Sequence, residues 1–141
     1  MSVNNTKIKS IIKKIFIKRG LKTNHAIICA NAIINAELVG APSHGLSRLK
    51  MYCERISKKV INPRPKITVK NISKSISIID ADNSIGFVAA DEAIKKTIQN
   101  AKKTGIGLVP KTDFFPPKGA IAGGAFVNAN VIKFFLTACS T

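Results

Sequence analysis

The stretch ISIIDADNSIGFVAADEAIKKTIQNAKKTGIGLV, from Ile76 to Val109, decides the fold because its hydrophobic period changes twice. Ile76-Ser77-Ile78-Ile79 is a short branched-aliphatic run of the kind that forms a strand, and Asp80-Ala81-Asp82-Asn83 after it reads as a loop. From about Gly86 to Lys103, the residues Phe87, Ala90, Ala93, Ile94, Ile98 and Ala101 recur every three or four positions. That spacing predicts a helix with one buried face. Gly105 can stop the helix, and Ile106-Gly107-Leu108-Val109 reads as a strand again. Strand, helix and strand within one stretch predict an α/β (α+β) fold.

Toward the N-terminus, Ile67-Thr68-Val69 predicts a strand joined to Ile76 by a polar turn. Asn62-Pro63-Arg64-Pro65 excludes regular structure and separates a helical region, 1–61, from an α/β region, 66–141. In the helical region, Ile8, Ile11, Ile12, Ile15 and Phe16 form one stripe of a helix from Lys7 to Arg19, stopped by Gly20. Thr23 is a good N-cap for a second helix through Ala26, Ile27, Ala30, Ile33, Ile34 and Leu38, ended by Gly40. Ser43 can cap a third helix running to about Lys59. Beyond Val109 the chain changes character. Pro110, Phe114-Phe115-Pro116-Pro117 and the stretch from Gly119 to Gly124 have no settled period, and Val131 to Thr137 is the next candidate strand.

Composition narrows the function. The 141 residues are 45% hydrophobic, enough for one ordinary core. No apolar run approaches the roughly 20 residues of a membrane span, and the first twenty residues do not form a signal peptide, so the expected location is cytoplasmic. A stripe like that of the first helix also fits a membrane surface, but it serves any surface helix equally well. The net charge of +16 attracts polyanions and keeps a non-catalytic basic module for nucleic acid as the alternative reading. Against it, the cations are mostly scattered Lys, the aromatics are not interleaved with them, and Ile, Asn and Lys all have A/T-rich codons. Cys29, Cys53 and Cys139 form no CxxC pair and read as reduced thiols without a metal.

Of the two histidines, His25 falls in the first turn of the second helix, where it reads as an exposed or partly packed residue. His44 stands in Pro42-Ser43-His44-Gly45-Leu46-Ser47-Arg48-Leu49-Lys50-Met51-Tyr52. On a helix, His44, Arg48 and Tyr52 would stack along one face, with Ser43 at its start. A helix N-terminus and a guanidinium fork suit a carboxylate, and an imidazole beside them can exchange a proton with a hydroxyl or keto oxygen. The set suits a small 2-hydroxy or 2-oxo acid; an N-capped surface helix with a polar stripe has the same spacing.

Gly40-Ala41-Pro42-Ser43-His44-Gly45-Leu46-Ser47-Arg48-Leu49, then Tyr52 and Ile61-Asn62-Pro63, resembles the N-terminal signature of the malate/L-lactate/ureidoglycolate dehydrogenase family. The segments Ile79 to Ala90 and Lys103 to Val109 resemble its next two signatures, in order. The resemblance implies an oxidoreductase using NAD or NADP, whose cofactor-binding sheet is mostly antiparallel and not of the Rossmann type, and which pairs as a homodimer. It also implies that His44 is a catalytic acid/base, with Ser43, Arg48 and Tyr52 binding the substrate. Consistent with it, no GxGxxG follows a strand.

The chain departs from the family pattern after Val109. Lys111-Thr112-Asp113-Phe114-Phe115-Pro116-Pro117-Lys118-Gly119 stands where members carry a second histidine, and Ala138 stands where an Asn is usual. The reading therefore expects a truncated product, degenerate after 109 and inactive alone. A subunit completed by a second polypeptide is the other possibility.

Overall fold

The computed structural model of the chain describes residues 5–114 and 125–128. They fall into two compact units that divide between Arg64 and Pro65. The first unit is helical: α1 (Asn5–Lys18), α2 (Thr23–Leu38), two 3-10 turns at Pro42–His44 and Leu46–Arg48, and α3 (Leu49–Ser57). α1 buries Ile12 and Phe16, one above the other at i, i+4. Ile8 and Ile15 are half-buried. Ile11 departs from the predicted stripe and is 50% exposed, because it lies about 100° round the axis from Ile12. α2 buries Ala26, Cys29, Ala30, Ile33 and Ile34.

Helix ends in this unit use left-handed residues. Gly20 (φ 97°) ends α1, with Leu21 N donating to Phe16 O and Gly20 N to Ile17 O. Gly40 ends α2 in the same way, through Ala41 N to Ala36 O and Gly40 N to Glu37 O. This double bond satisfies the last carbonyls and favours glycine at the left-handed position. At the end of α3 the position is filled by Lys59 (φ 58°), with Val60 N on Arg55 O and Lys59 N on Ile56 O.

Two expectations are corrected here. Thr23 is the first residue of α2 rather than its cap; Lys22 precedes it in extended conformation, without a side-chain cap bond. The predicted helix from Ser43 to Lys59 is also not continuous. Gly45 (φ −94°, ψ −132°) separates the two 3-10 turns, and α-helix begins only at Leu49. Ser43 caps no α-helix, and His44 does not share an unbroken helical face with Arg48 and Tyr52.

The second unit contains β1 (Thr68–Asn71), β2 (Ser77–Ser84), α4 (Gly86–Thr104), β3 (Ile106–Val109), β4 (Lys111–Phe114) and β5 (Ala125–Asn128). One sheet has the order β1-β2-β4, antiparallel between β1 and β2 and parallel between β2 and β4; β3 and β5 pair antiparallel. Two of the three ladders are antiparallel, as the predicted sheet type requires. Ile79, Ala93 and Val109 form a core cluster, with Ile67 against it.

Asp80 to Asn83, read as a loop, belong to β2. The strand carries a register shift between Asp80 and Ser84, where Asp82 (φ 47°) and Asn83 (φ 52°) are left-handed. Asp and Asn tolerate that conformation. Asp80 Oδ1 accepts Asp82 N at 2.9 Å, and Asp82 Oδ2 accepts Lys66 N at 2.8 Å. The acidic residues thus shape a bulge inside the strand. β4 and β5 lie where no period was readable, because a strand can be set by the edge it pairs with rather than by its own pattern. The candidate strand at Val131 to Thr137 lies outside the described residues.

The buried face of α4 is also displaced from the predicted one. It consists of Val88, Ala89, Ala93, Thr97, Asn100 and Ala101, while Phe87, Ala90, Ile94 and Ile98 are half-buried. Gly107 explains the rotation: a Cβ there would collide with the Thr97 carbonyl and lie 3.1 Å from Ala101 N, so β3 runs directly against the helix backbone. The buried polar groups find partners. Thr97 Oγ1 donates to Ala93 O at 2.7 Å, and Asn100 Nδ2 to Ser77 Oγ at 3.0 Å and Ser75 O at 3.3 Å.

Candidate functional site

The segment after Gly40 folds back on itself through its own polar groups. Pro42 opens the first 3-10 turn, closed by His44 N on Ala41 O and Gly45 N on Pro42 O. Ser47 Oγ donates to Pro42 O at 2.7 Å, and Arg48 Nε donates to Ser43 O at 2.7 Å. Ser43 Oγ and His44 Nδ1 are 3.0 Å apart. Ser43, His44 and Arg48 therefore meet through hydrogen bonds across two short turns. All three are exposed.

Glu37 of α2 anchors this fold-back from below. Its Oε1 accepts Leu46 N at 2.6 Å. Gly45 is buried against the same side chain, and a Cβ there would run into the Glu37 carboxylate. Reasoning from the sequence missed both residues. The available signal was electrostatic: a carboxylate in the last turn of a helix opposes the macrodipole, so Glu37 in Asn35-Ala36-Glu37-Leu38 calls for a donor outside the helix.

Tyr52 lies on α3, half-buried. Burial pushes its phenol above the ordinary range, Arg48 and Arg55 pull it down, and Cys29 adds to the rise. The hydroxyl is thus a neutral donor near pH 7, within the field of the Arg48 guanidinium. Arg48 Nη1 is 3.8 Å from Met51 Sδ. His25 lies in the first turn of α2, half-buried. Cys29 and Cys53 are free and buried, and burial pushes the Cys29 thiol up to about 12.

Chemically, the arrangement offers an exposed imidazole with one ring nitrogen held by a hydroxyl. When Nδ1 donates to Ser43 Oγ, Nε2 is left as the acceptor facing outward. Beside it stands a guanidinium whose Nε is held by Ser43 O and whose Nη1 lies on Met51 Sδ, so Nη2 remains to meet an anion. Among the described residues, no group of three or more His, Cys, Asp or Glu can hold a metal ion, and no described helix is long and apolar enough to cross a membrane.

A Rossmann-type pyrophosphate cradle needs a glycine-rich strand-to-helix turn with its N–H groups open. The turn from β2 into α4 has Ile85 as its N-cap and a single glycine, Gly86. No described residue is assigned to such a cofactor.

Comparison with known proteins places the chain. The family model for malate/L-lactate dehydrogenase matches residues 3–113. A malate dehydrogenase of Pyrococcus horikoshii is 36% identical over 107 residues, which is 76% of this chain and 30% of that protein. A ureidoglycolate dehydrogenase (NAD(+)) of Escherichia coli K12 is 31% identical over 109 residues, 77% of this chain and 31% of the enzyme. Among solved structures, the Pyrococcus horikoshii malate dehydrogenase superposes with a TM-score of 0.78 at 34% identity, covering 81% of this chain and 33% of that one. A sulfolactate dehydrogenase from Methanocaldococcus jannaschii gives 0.77 at 30% identity, covering 81% and 33%. The chain spans about a third of the length of these relatives. On the family match and the shared fold, the chain belongs to the malate/L-lactate dehydrogenase family.

Proposed function

We propose that this chain carries the substrate-handling part of an oxidoreductase that moves a hydride between NAD or NADP and C2 of a small 2-hydroxy or 2-oxo acid. The observation that carries this reading is the pair of bonds at the fold-back, Arg48 Nε to Ser43 O at 2.7 Å and Ser43 Oγ to His44 Nδ1 at 3.0 Å. They hold a carboxylate-binding group and a proton-exchanging group on one rigid turn.

His44 exchanges the proton of the substrate oxygen at Nε2. Oxidation of a 2-hydroxy acid removes the O–H proton to His44 as the C2 hydrogen leaves with its electron pair; reduction reverses both. Arg48 holds the carboxylate, Ser43 orients the imidazole through Nδ1, and Tyr52 donates from the α3 side. The hydride partner in the Escherichia coli relative is named as NAD(+), and either NAD or NADP serves the same chemistry. By kinship the assembly is a homodimer in the cytoplasm, and the 1–61 and 66–141 regions form its substrate-side and sheet portions.

The test is a chimera that joins this chain through residue 113 to the remaining two-thirds of the Pyrococcus horikoshii enzyme, assayed by NADH and NADPH oxidation with oxaloacetate, pyruvate and sulfopyruvate. His44→Ala is expected to lower kcat by about 100-fold or more, the typical contribution of a general acid, with little change in KM. An unchanged kcat would refute the role of His44.

A further inference from the structure

We propose that the hollow between the β1–β2 turn and the C-terminal half of α4 is an anion site that binds a phosphate group, free or as a small phosphate ester. The hollow has a volume of about 440 Å³ and lies wholly within the second unit. From α4 it is lined by Lys96, Asn100, Lys103 and Thr104, spaced i, i+4, i+7 and i+8 and so aligned on one face of the helix. The end of β1 contributes Asn71, and the turn after it Ser73 and Lys74.

Three lysines thus line one cavity, and among the described residues no carboxylate lines it. Both acidic residues of α4 are engaged elsewhere: Asp91 and Glu92 lie 2.6 and 3.1 Å from the Lys95 ammonium. The helix macrodipole accounts for a cation in the last turn, Lys103, but neither for Lys96 two turns earlier nor for Lys74 on the hairpin. A dispersed charge of +16 does not explain why three lysines line one cavity with no carboxylate among its described lining residues. A phosphate does, because it accepts several charge-assisted bonds at once.

The floor of the hollow is rigid. Asn100 is 4% exposed and is held by Ser77 Oγ and Ser75 O. Ser77 Oγ in turn donates to Asn71 Oδ1 at 2.9 Å, which orients the Asn71 amide so that its NH2 remains as a donor. Ser73 Oγ accepts Ser75 N and Ile76 N and shapes the turn. The fixed Asn71 amide, still a donor, and the lysines around it match an anion that arrives from solvent. The site is lined by residues of the second unit and does not rest on the oxidoreductase reading.

The experiment titrates the full chain with inorganic phosphate and, separately, with glycerol phosphate, following backbone and Asn side-chain amide signals by NMR. Saturable shifts centred on Asn71, Ser75 and Asn100 are expected. Equal affinities identify the free anion as the source, and tighter ester binding identifies the ester. Lys96→Gln with Lys103→Gln should weaken binding by about tenfold or more, and Lys74→Gln alone, which leaves α4 untouched, should weaken it by severalfold. Lys13→Gln with Lys14→Gln on α1 removes the same charge elsewhere and should change little. Shifts that never saturate, or an equal loss in the α1 control, would overturn the proposal.

Discussion

Replacing Gly107 by Ala should damage the second unit far more than one methyl group ordinarily does. The new Cβ would meet the Thr97 carbonyl and lie 3.1 Å from Ala101 N, both helix backbone atoms of α4. A flexible side chain could swing aside, but these atoms move only if helix and strand part. Overpacking of this kind costs about 1–3 kcal/mol, and a rigid neighbour puts the cost near the top of that range. In a domain of 60–100 residues each kcal/mol lowers Tm by about 4–8 °C, so a fall of about 12–24 °C is expected.

Gly105→Ala provides the comparison that isolates the mechanism. Gly105 is left-handed (φ 81°) with nothing within 4 Å of a Cβ, so substitution there costs only the backbone term, about 1 kcal/mol. Thermal unfolding followed by far-UV circular dichroism should therefore rank wild type above Gly105→Ala and Gly105→Ala well above Gly107→Ala. If Gly107→Ala melts at or above the temperature of Gly105→Ala, close packing of β3 on α4 is not what Gly107 provides.

Three further outcomes follow from particular contacts. Lys59 holds a left-handed position that costs a side-chain-bearing residue about 1–2 kcal/mol; Lys59→Gly should raise urea-unfolding stability by about 0.5–1 kcal/mol, after the entropy glycine adds to the unfolded chain. Glu37→Ala removes the acceptor of Leu46 N. It should lower stability by about 1 kcal/mol, given a charge-assisted bond at a half-buried site, and should speed hydrogen exchange at Leu46, whereas Glu37→Gln should restore most of the protection. Burial raises the Cys29 thiol from 9.0 to about 12, so the unfolded chain releases this proton first and the folded state loses ground as pH rises. The stability difference between wild type and Cys29→Ala should therefore shift against wild type by up to about 1.4 kcal/mol per pH unit from pH 9 toward pH 12; a difference independent of pH would contradict the burial.

Much of the fold was legible because α1, α2 and α4 carry clear periods and stop at Gly20, Gly40 and Gly105. What escaped reading depended on partners distant in sequence. Asp80 and Asp82 look like loop residues on composition, yet their carboxylates bind the backbone of Asp82 and Lys66 and keep the strand going through a bulge. The face of α4 was misjudged because Thr97 and Asn100 are polar. Their burial depends on Ala93, Ser75 and Ser77 as partners and on the missing side chain at Gly107.

The fold-back at His44 shows how residues expected to meet on one helix can meet through a different geometry. A spacing of four brings His44 and Arg48 close on an α-helix, and the two 3-10 turns broken at Gly45 also bring them close, because Arg48 reaches back to Ser43 O. The two geometries differ in what the guanidinium can do. On a continuous helix Nε would not be tied to the turn; here Nε is held by Ser43 O and Nη1 lies on Met51 Sδ, which leaves Nη2 for an anion. That bond removes rotamer freedom before any substrate arrives, and it ties Arg48 to the residue whose hydroxyl holds the His44 ring. A glycine at 45 serves this turn, since a side chain there would displace the Glu37 carboxylate from Leu46 N and loosen the fold-back.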